Sequence, residues 1–265
     1  MRHPLSLLLS ALCLIGLPGC RGAGAQRDLI VAGSTSIQPF ADKWAEVFME
    51  EHAGLGVNVQ GGGSSAGIQA CKAGACQIGM SSRELKPDEK DLHEIVIARD
   101  GLAIIVHPSN PVRGATLSQV KEIFAGELTG WKLLGGPDKA ITVVTREEGS
   151  GTRGAFQELV MGKTRIWRGA ITEDSNGTVR EIVAHDPCAV GFISLGLVND
   201  EVRALDLDGV VATEANIRAG RYKLVRPFLF LTRGEPAGTA REFIDFVLSD
   251  EGQALIKKEG LIPAK

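Results

Sequence analysis

The sequence predicts an α/β protein built as two lobes. Short apolar runs alternate with segments of helical periodicity from residue 28 onward. Two proline-bearing connections interrupt that alternation, and three Ser/Thr/Gly-rich turns each join a strand-like run to a helical one.

The elements follow in order. Strand-like runs occupy 29–32, 57–60, 77–80, 95–98, 102–106, 141–144 and 190–193. Between them Phe40, Trp44, Val47 and Phe48 recur at a 3.6-residue period, as do Val120, Ile123 and Phe124, then Phe156, Leu159 and Val160. Phe243, Phe246, Val247, Ala254 and Leu255 describe one long or broken helix near the end. His107-Pro108-Ser109-Asn110-Pro111 interrupts helix and ladder alike, and Arg226-Pro227 precedes an apolar run, 228–231, that reads as a strand re-entering a sheet. These two crossings divide the chain into lobe 1 (28–107 plus 226–265) and lobe 2 (108–225), a hinged clamp suited to a small ligand.

The N-terminus, MRHPLSLLLSALCLIGLPGC, holds one Arg and an apolar run of about a dozen residues, too short for a stable membrane span. Its Leu17-Pro18-Gly19-Cys20 ending resembles the bacterial lipobox. The resemblance implies cleavage of signal peptide 1–19, with lipid (palmitate and related acyl chains) on the sulfur and new amino group of Cys20. Residues 20–27 are then the lipidated cysteine and a tether, and the protein is expected outside the cytoplasm, held to a bacterial membrane by that anchor only. No second apolar run approaches transmembrane length.

Lys and Arg number 29 against 32 Asp and Glu, so nothing suggests a nucleic-acid partner. Near-neutrality still permits an anionic ligand, because local dipoles and one or two arginines decide that. On the lipobox reading, Cys13 of the five cysteines falls in the signal and Cys20 is the one expected to carry the lipid. Cys71 and Cys76 then form a possible disulfide or two buried thiols, and Cys188 a small buried hydrophobe. Cys-x4-Cys without nearby His is a poor zinc pattern; no metal or cofactor is expected.

Three turns share one design. Gly33-Ser34-Thr35-Ser36, Gly61-Gly62-Gly63-Ser64-Ser65-Ala66-Gly67 and Gly149-Ser150-Gly151-Thr152 each follow a strand and lead into a helix. There unpaired N–H groups and the helix dipole favour an anion, glycine lets the backbone approach closely, and hydroxyls add donors. Arg146, just before the third turn, and Arg83, in Met80-Ser81-Ser82-Arg83, supply guanidinium groups that match two oxygens of a tetrahedral oxyanion. None of these turns fits the Gly-x4-Gly-Lys-Ser/Thr loop, and no Gly-x-Gly-x2-Gly opens a dinucleotide unit, which points to a small free anion, not a nucleotide.

GSTSIQP (33–39), GGGSSAGI (61–68), IGMSSREL (78–85), ARDG (98–101), REEGSGTR (146–153), GFISLG (191–196) and FIDFVLSDEGQ (243–253) together resemble the phosphate-binding lipoproteins of bacterial phosphate ABC transporters. The resemblance runs in order from residue 28 to the C-terminus. It implies a type II periplasmic-binding-protein fold whose lobes, each a mostly parallel sheet flanked by helices, close on inorganic phosphate. It also implies delivery of that phosphate to the permease subunits of an ABC transporter, with the chain itself a monomer. By position, Thr35, Ser36, Ser64, Ser65, Ser82, Arg146, Ser150, Gly151 and Thr152 match the family's ligand-contacting places, and Arg83 belongs to the Ser-Ser-Arg form of the third motif. In the longer-chain branch of the family an Asp stands where this chain has Ser82, accepts the proton of hydrogen phosphate and repels sulfate. Asp100, Glu147 and Glu148 are the acids available to replace it.

Other readings are a binding protein for another tetrahedral oxyanion, such as sulfate or molybdate, and a non-transport sensor or adhesion lipoprotein. Catalysis is disfavoured: His52, His93 and His107 sit in bland contexts, His185-Asp186 is only faintly suggestive, and Gly149-Ser150-Gly151 lacks the Gly-x-Ser-x-Gly spacing of a nucleophile elbow. For the anchor, Cys20→Ser is expected to release an unacylated, soluble protein on cell fractionation. Membrane association of that variant that survives high salt contradicts the lipobox reading.

Overall fold

A computed structural model of the chain describes residues 28–264; the signal segment, Cys20 and the tether lie outside the described residues. The chain opens β1 (Leu29–Gly33), α1 (Gln38–Glu51), β2 (Val57–Gln60), α2 (Ser64–Ala73) and β3 (Ile78–Ser81). A long strand β4 (His93–Val106) follows, then β5 (Gly114–Ala115), α3 (Leu117–Ala125), β6 (Thr142–Arg146) and α4 (Gly151–Phe156), which runs on into a π-helical turn, Gln157–Met161. Next come β7 (Ile171–Glu173), α5 (Asn176–His185), β8 (Ala189–Ser194), β9 (Arg203–Ala204), β10 (Asp206–Leu207) and α6 (Glu214–Arg218). The chain finishes with β11 (Val225–Thr232), α7 (Gly238–Val247), α8 (Asp250–Lys257) and β12 (Ile262–Pro263).

One curled mixed sheet runs β2-β1-β3-β11-β4-β8-β6-β7. Pairs β1–β2, β1–β3, β6–β7 and β6–β8 are parallel, joined through helical crossovers; β11 and β4 run antiparallel to their neighbours. The buried strands β3 and β8 have every residue inside, which explains their unbroken apolar character.

The two expected strands 95–98 and 102–106 are one strand. Through Gly101, β4 pairs with β11; from Leu102 it pairs with β8. The chain thus changes sheet partner at Gly101/Leu102 while remaining extended, ahead of the proline-bearing segment at 107–111. Hydrophobic clusters sort the same way. Trp44, Phe48, Phe230 and Phe243 fill one side, whereas Phe124, Phe156 and Phe192 fill the other, with Phe156 and Phe192 stacked at 4.2 Å between ring centroids. We propose 28–101 with 225–264 as one lobe and 102–224 as the other.

The C-terminal apolar pattern resolves into two helices, because Ser249 caps α8 through its hydroxyl and turns the chain after α7. Helix α5, absent from the sequence reading, is capped by Ser175 with Thr178. The possible Cys71–Cys76 disulfide is corrected: both are free, buried thiols. Cys71 Sγ donates to the Leu231 carbonyl at 3.3 Å, and the hydrogen-bonded Cys71 neighbour, with burial, pushes the Cys76 thiol up. An apolar cluster of Ile68, Leu85, Leu92 and Leu231 surrounds them, which suits uncharged thiols. Cys188 packs half-buried against the core of the second lobe.

Gly67 sets the depth at which α2 lies on β1. A Cβ there would stand 2.6 Å from Gly33 Cα and closer still to the Ala32 carbonyl. Gly67→Ala is expected to destabilise the fold by about 1–3 kcal/mol through overpacking, read as a lower denaturant midpoint. An unchanged midpoint contradicts this close approach.

Candidate anion-binding site

Strand polarity brings the polar turns together. The turns after β1, β2 and β3 leave the carboxyl ends of parallel or re-entrant strands on one lobe, and those after β6, β7 and β8 do so on the other. Open α/β sheets bind ligands at such strand ends, where the strand order reverses. Here β1 lies between β2 and β3, so its turn sits at a reversal.

Across the lobes, Ser36 Oγ lies 2.8 Å from Thr152 Oγ1, and the Ser65 amide donates to the Gly149 carbonyl at 3.0 Å. The lobes therefore meet on the first, second and third turns. Ser64 Oγ accepts from the Ser82 amide at 3.1 Å, with the two hydroxyls 3.4 Å apart. Ser150 caps α4 by accepting from the Arg153 amide at 3.1 Å, and Gly151 and Thr152 open that helix. Ser36, Ser64, Ser82, Ser150 and Thr152 are all buried, a costly placement for hydroxyls unless they are paired.

Arg146 ends β6 with its side chain 1% exposed. Its Nε and Nη2 donate to the two Glu147 carboxylate oxygens, each at 3.0 Å; Nη2 also reaches the Asp174 carbonyl at 2.9 Å and Thr35 Oγ1 at 3.3 Å. Nη1 is buried without a hydrogen-bond partner among the described residues. Burial lowers the Arg146 pKa and Glu147 opposes this, so the guanidinium stays charged. The arrangement presents a fixed, desolvated donor edge, the element an oxyanion needs.

Arg83 is placed differently. Its Nη1 and Nη2 form a bidentate pair with Glu89 at 2.7 and 2.8 Å, and Nη2 approaches Ser65 Oγ at 3.5 Å. That pairing holds the Glu89 carboxyl below its ordinary range. With Ser150, Arg153 and Glu148, Arg83 lines a groove of about 530 Å³ at the outer lip of the cleft. The structure thus joins Thr35, Ser36, Arg146 and Thr152 directly, brings Ser64 and Ser82 together beside them, and sets Arg83 at the rim.

Three residues outside the sequence-derived site readings, Asn176, Arg226 and Ser194, enter this network, together with Asp100. Asn176, the first residue of α5, donates from Nδ2 to Thr35 Oγ1 at 3.2 Å and Ser36 Oγ at 2.9 Å. Arg226 donates to Ser36 Oγ at 3.1 Å and to Asp100 at 2.9 Å, and Ser194 Oγ donates to Asp100 at 2.8 Å. Ser175-Asn176-Gly177-Thr178 repeats the small polar turn before a helix, the signal by which Asn176 could have been found. Of the acids considered in place of an Asp at 82, Asp100 is fully buried on Arg226, Glu147 is on Arg146, and Glu148 is exposed. Burial raises the Asp100 pKa; Arg226 and Ser194 oppose it. His52 and His185 each bond a carbonyl of their own helix, Phe48 and Glu181, and His107 pairs with the hydroxyl of Ser109 in the proline-bearing segment.

Gly151 permits the approach of the lobes. A Cβ at that position would sit 2.6 Å from Ser82 Oγ and closer to Ser64 Oγ. Gly151→Ala is therefore expected to hold the lobes apart and enlarge the radius of gyration in small-angle scattering. A radius equal to that of the parent chain contradicts the contact.

Comparison with known proteins agrees with this architecture. The sequence profile of the PBP superfamily domain matches residues 21–251. The phosphate-binding protein PstS of Bacillus subtilis is 37% identical over 245 residues, which cover 90% of this chain and 81% of that protein. A chain from Clostridium perfringens, described as a phosphate ABC transporter substrate-binding protein and solved with bound phosphate, superposes with a TM-score of 0.87 at 42% identity. That match covers 90% of this chain and all of the other. An ABC-type phosphate transport receptor from Vibrio cholerae gives 0.74 at 40% identity, over 89% of this chain and 99% of the other. This chain belongs to the PBP superfamily and, within it, to the family of the PstS phosphate-binding proteins.

Proposed function

We propose that this chain binds inorganic phosphate between its lobes and delivers it to the permease of an ABC transporter for uptake, outside the cytoplasm and tethered through Cys20. The observation that carries the ligand reading is Arg146: a buried guanidinium whose Nη1 finds no acceptor among the described residues, beside hydroxyls of both lobes. A tetrahedral oxyanion supplies the acceptor that this edge lacks, and the hydroxyls of Thr35, Ser36, Ser64, Ser82, Ser150 and Thr152 add neutral donors. Ser65 and Gly151 shape the wall, and Arg83 holds the rim through Glu89. Relatives named as phosphate-binding and transport proteins support the same reading and a binding role in place of catalysis.

Closure removes water from the cleft, and hydrogen bonds to the anion gain strength in the lower dielectric. Loss of one partner of a buried charge-assisted contact costs about 2–5 kcal/mol. Arg146→Ala is therefore expected to weaken phosphate binding roughly 30-fold or more by isothermal titration, at a tenfold loss per about 1.4 kcal/mol. Unchanged affinity removes Arg146 from the site. Parallel titration with sulfate decides the ligand: phosphate heat with no sulfate heat supports the proposal, and stronger sulfate binding overturns it.

A further inference from the structure

Arg226 and Asp100 face each other in the antiparallel register of β11 and β4, at the point where both strands pass between the lobes. Both are buried. Arg226 Nε and Nη2 lie 2.9 Å from Asp100 Oδ2, Nη1 reaches the Ser82 carbonyl at 3.3 Å and its Oγ at 3.4 Å, and Nη2 donates to Ser36 Oγ at 3.1 Å. The guanidinium has no N–H nitrogen without a protein acceptor, in contrast to Arg146.

The consequence lies in the hydroxyls. Asn176 Oδ1 accepts from the Ser194 amide at 3.2 Å, which fixes the Asn176 amide with Nδ2 toward Thr35 and Ser36. Ser36 Oγ therefore receives two donors, from Arg226 and Asn176, and a hydroxyl has two acceptor lone pairs. Its own proton must point outward, to Thr152 Oγ1 at 2.8 Å or to a bound anion. Thr35 Oγ1 receives Asn176 Nδ2 at 3.2 Å and lies 3.3 Å from Arg146 Nη2, whose two hydrogens also serve the nearer Glu147 carboxylate and Asp174 carbonyl. Ser194 is the junction: its amide orients Asn176 and its hydroxyl donates to Asp100.

We propose that Arg226, anchored by Asp100 and Ser194, is a positioning residue that, together with Asn176, forces the hydroxyl of Ser36 to donate toward an acceptor-only anion without touching that anion itself. The proposal rests on the oxyanion reading of the cleft. It explains how a site whose buried arginines are each matched by a carboxylate attracts an anion: every hydroxyl whose lone pairs are filled from behind offers its proton to the ligand. Cooperative polarisation along Asp100, Arg226, Ser36 and Thr152 strengthens that donor.

The test is a double-variant cycle on the purified full chain, titrated with inorganic phosphate. Arg226→Lys keeps the charge opposite Asp100 and loses the fork that reaches Ser36. It is expected to weaken phosphate binding about tenfold in the parent chain and less than twofold in a Ser36→Ala background, because both changes remove the same oriented donor. Equal losses in the two backgrounds mean that Arg226 acts only as structural support, and the proposal falls. Should Arg226→Lys fail to fold, Asn176→Ala in the same cycle decides it, since Asn176 fills the other lone pair of Ser36. If the parent chain ignores phosphate but binds sulfate, the phosphate reading fails, while the same non-additivity measured with sulfate still decides the role of Arg226.

Discussion

The Asp100–Arg226 ion pair stands where the two long antiparallel strands leave one lobe for the other, and the polar interior is arranged around it. A buried charge is tolerated only when paired and hydrogen-bonded. Here the carboxylate is met by a guanidinium and a serine hydroxyl, and the guanidinium spends its remaining donors on Ser82 and Ser36. Removing either charge would leave its partner uncompensated inside the protein. The pair thus fixes the crossing strands and the floor of the cleft in one arrangement.

The same rule repeats around the cleft. Arg146 is matched by Glu147 and Arg83 by Glu89, so each buried arginine of the cleft carries its own carboxylate. These pairs leave the cleft close to charge-neutral before any ligand arrives. Attraction for an anion then comes from orientation: the unmatched edge of Arg146, the amide-rich turns at strand ends and hydroxyls whose lone pairs are already filled. Small residues at Gly63 and Gly151 let the backbones come close enough for hydroxyls of opposite lobes to meet.

Much of this was legible in the sequence because it is locally encoded. Apolar runs and 3.6-residue periods marked the strands and most helices, and the three Ser/Thr/Gly turns marked the polar ends of β1, β2 and the segment after β6. What the sequence hid depends on distant partners. The continuity of β4 was obscured by Arg99-Asp100-Gly101, which reads as a polar break; Asp100 is accommodated inside a strand only because Arg226, 126 residues away, neutralises it. Arg226 itself read as a boundary mark before Pro227, since nothing near it in the chain announces its contact with Ser36, and Asn176 went unread although the small polar turn 175–178 marks a helix start of the same design. Arg83 was legible as a cation at a strand end, but its capture by Glu89 depends on the turn that follows β3.

The most direct measurement is a crystal structure of the protein grown with phosphate. The account predicts the anion between the lobes, with one of its oxygens within hydrogen-bond distance of Arg146 Nη1 and others on the hydroxyls of Ser36, Thr35 and Thr152. Arg226 should keep its contacts with Asp100, Ser82 and Ser36. An anion bound at the outer lip against Arg83, or seated directly on Arg226 with Arg146 turned away, would contradict it.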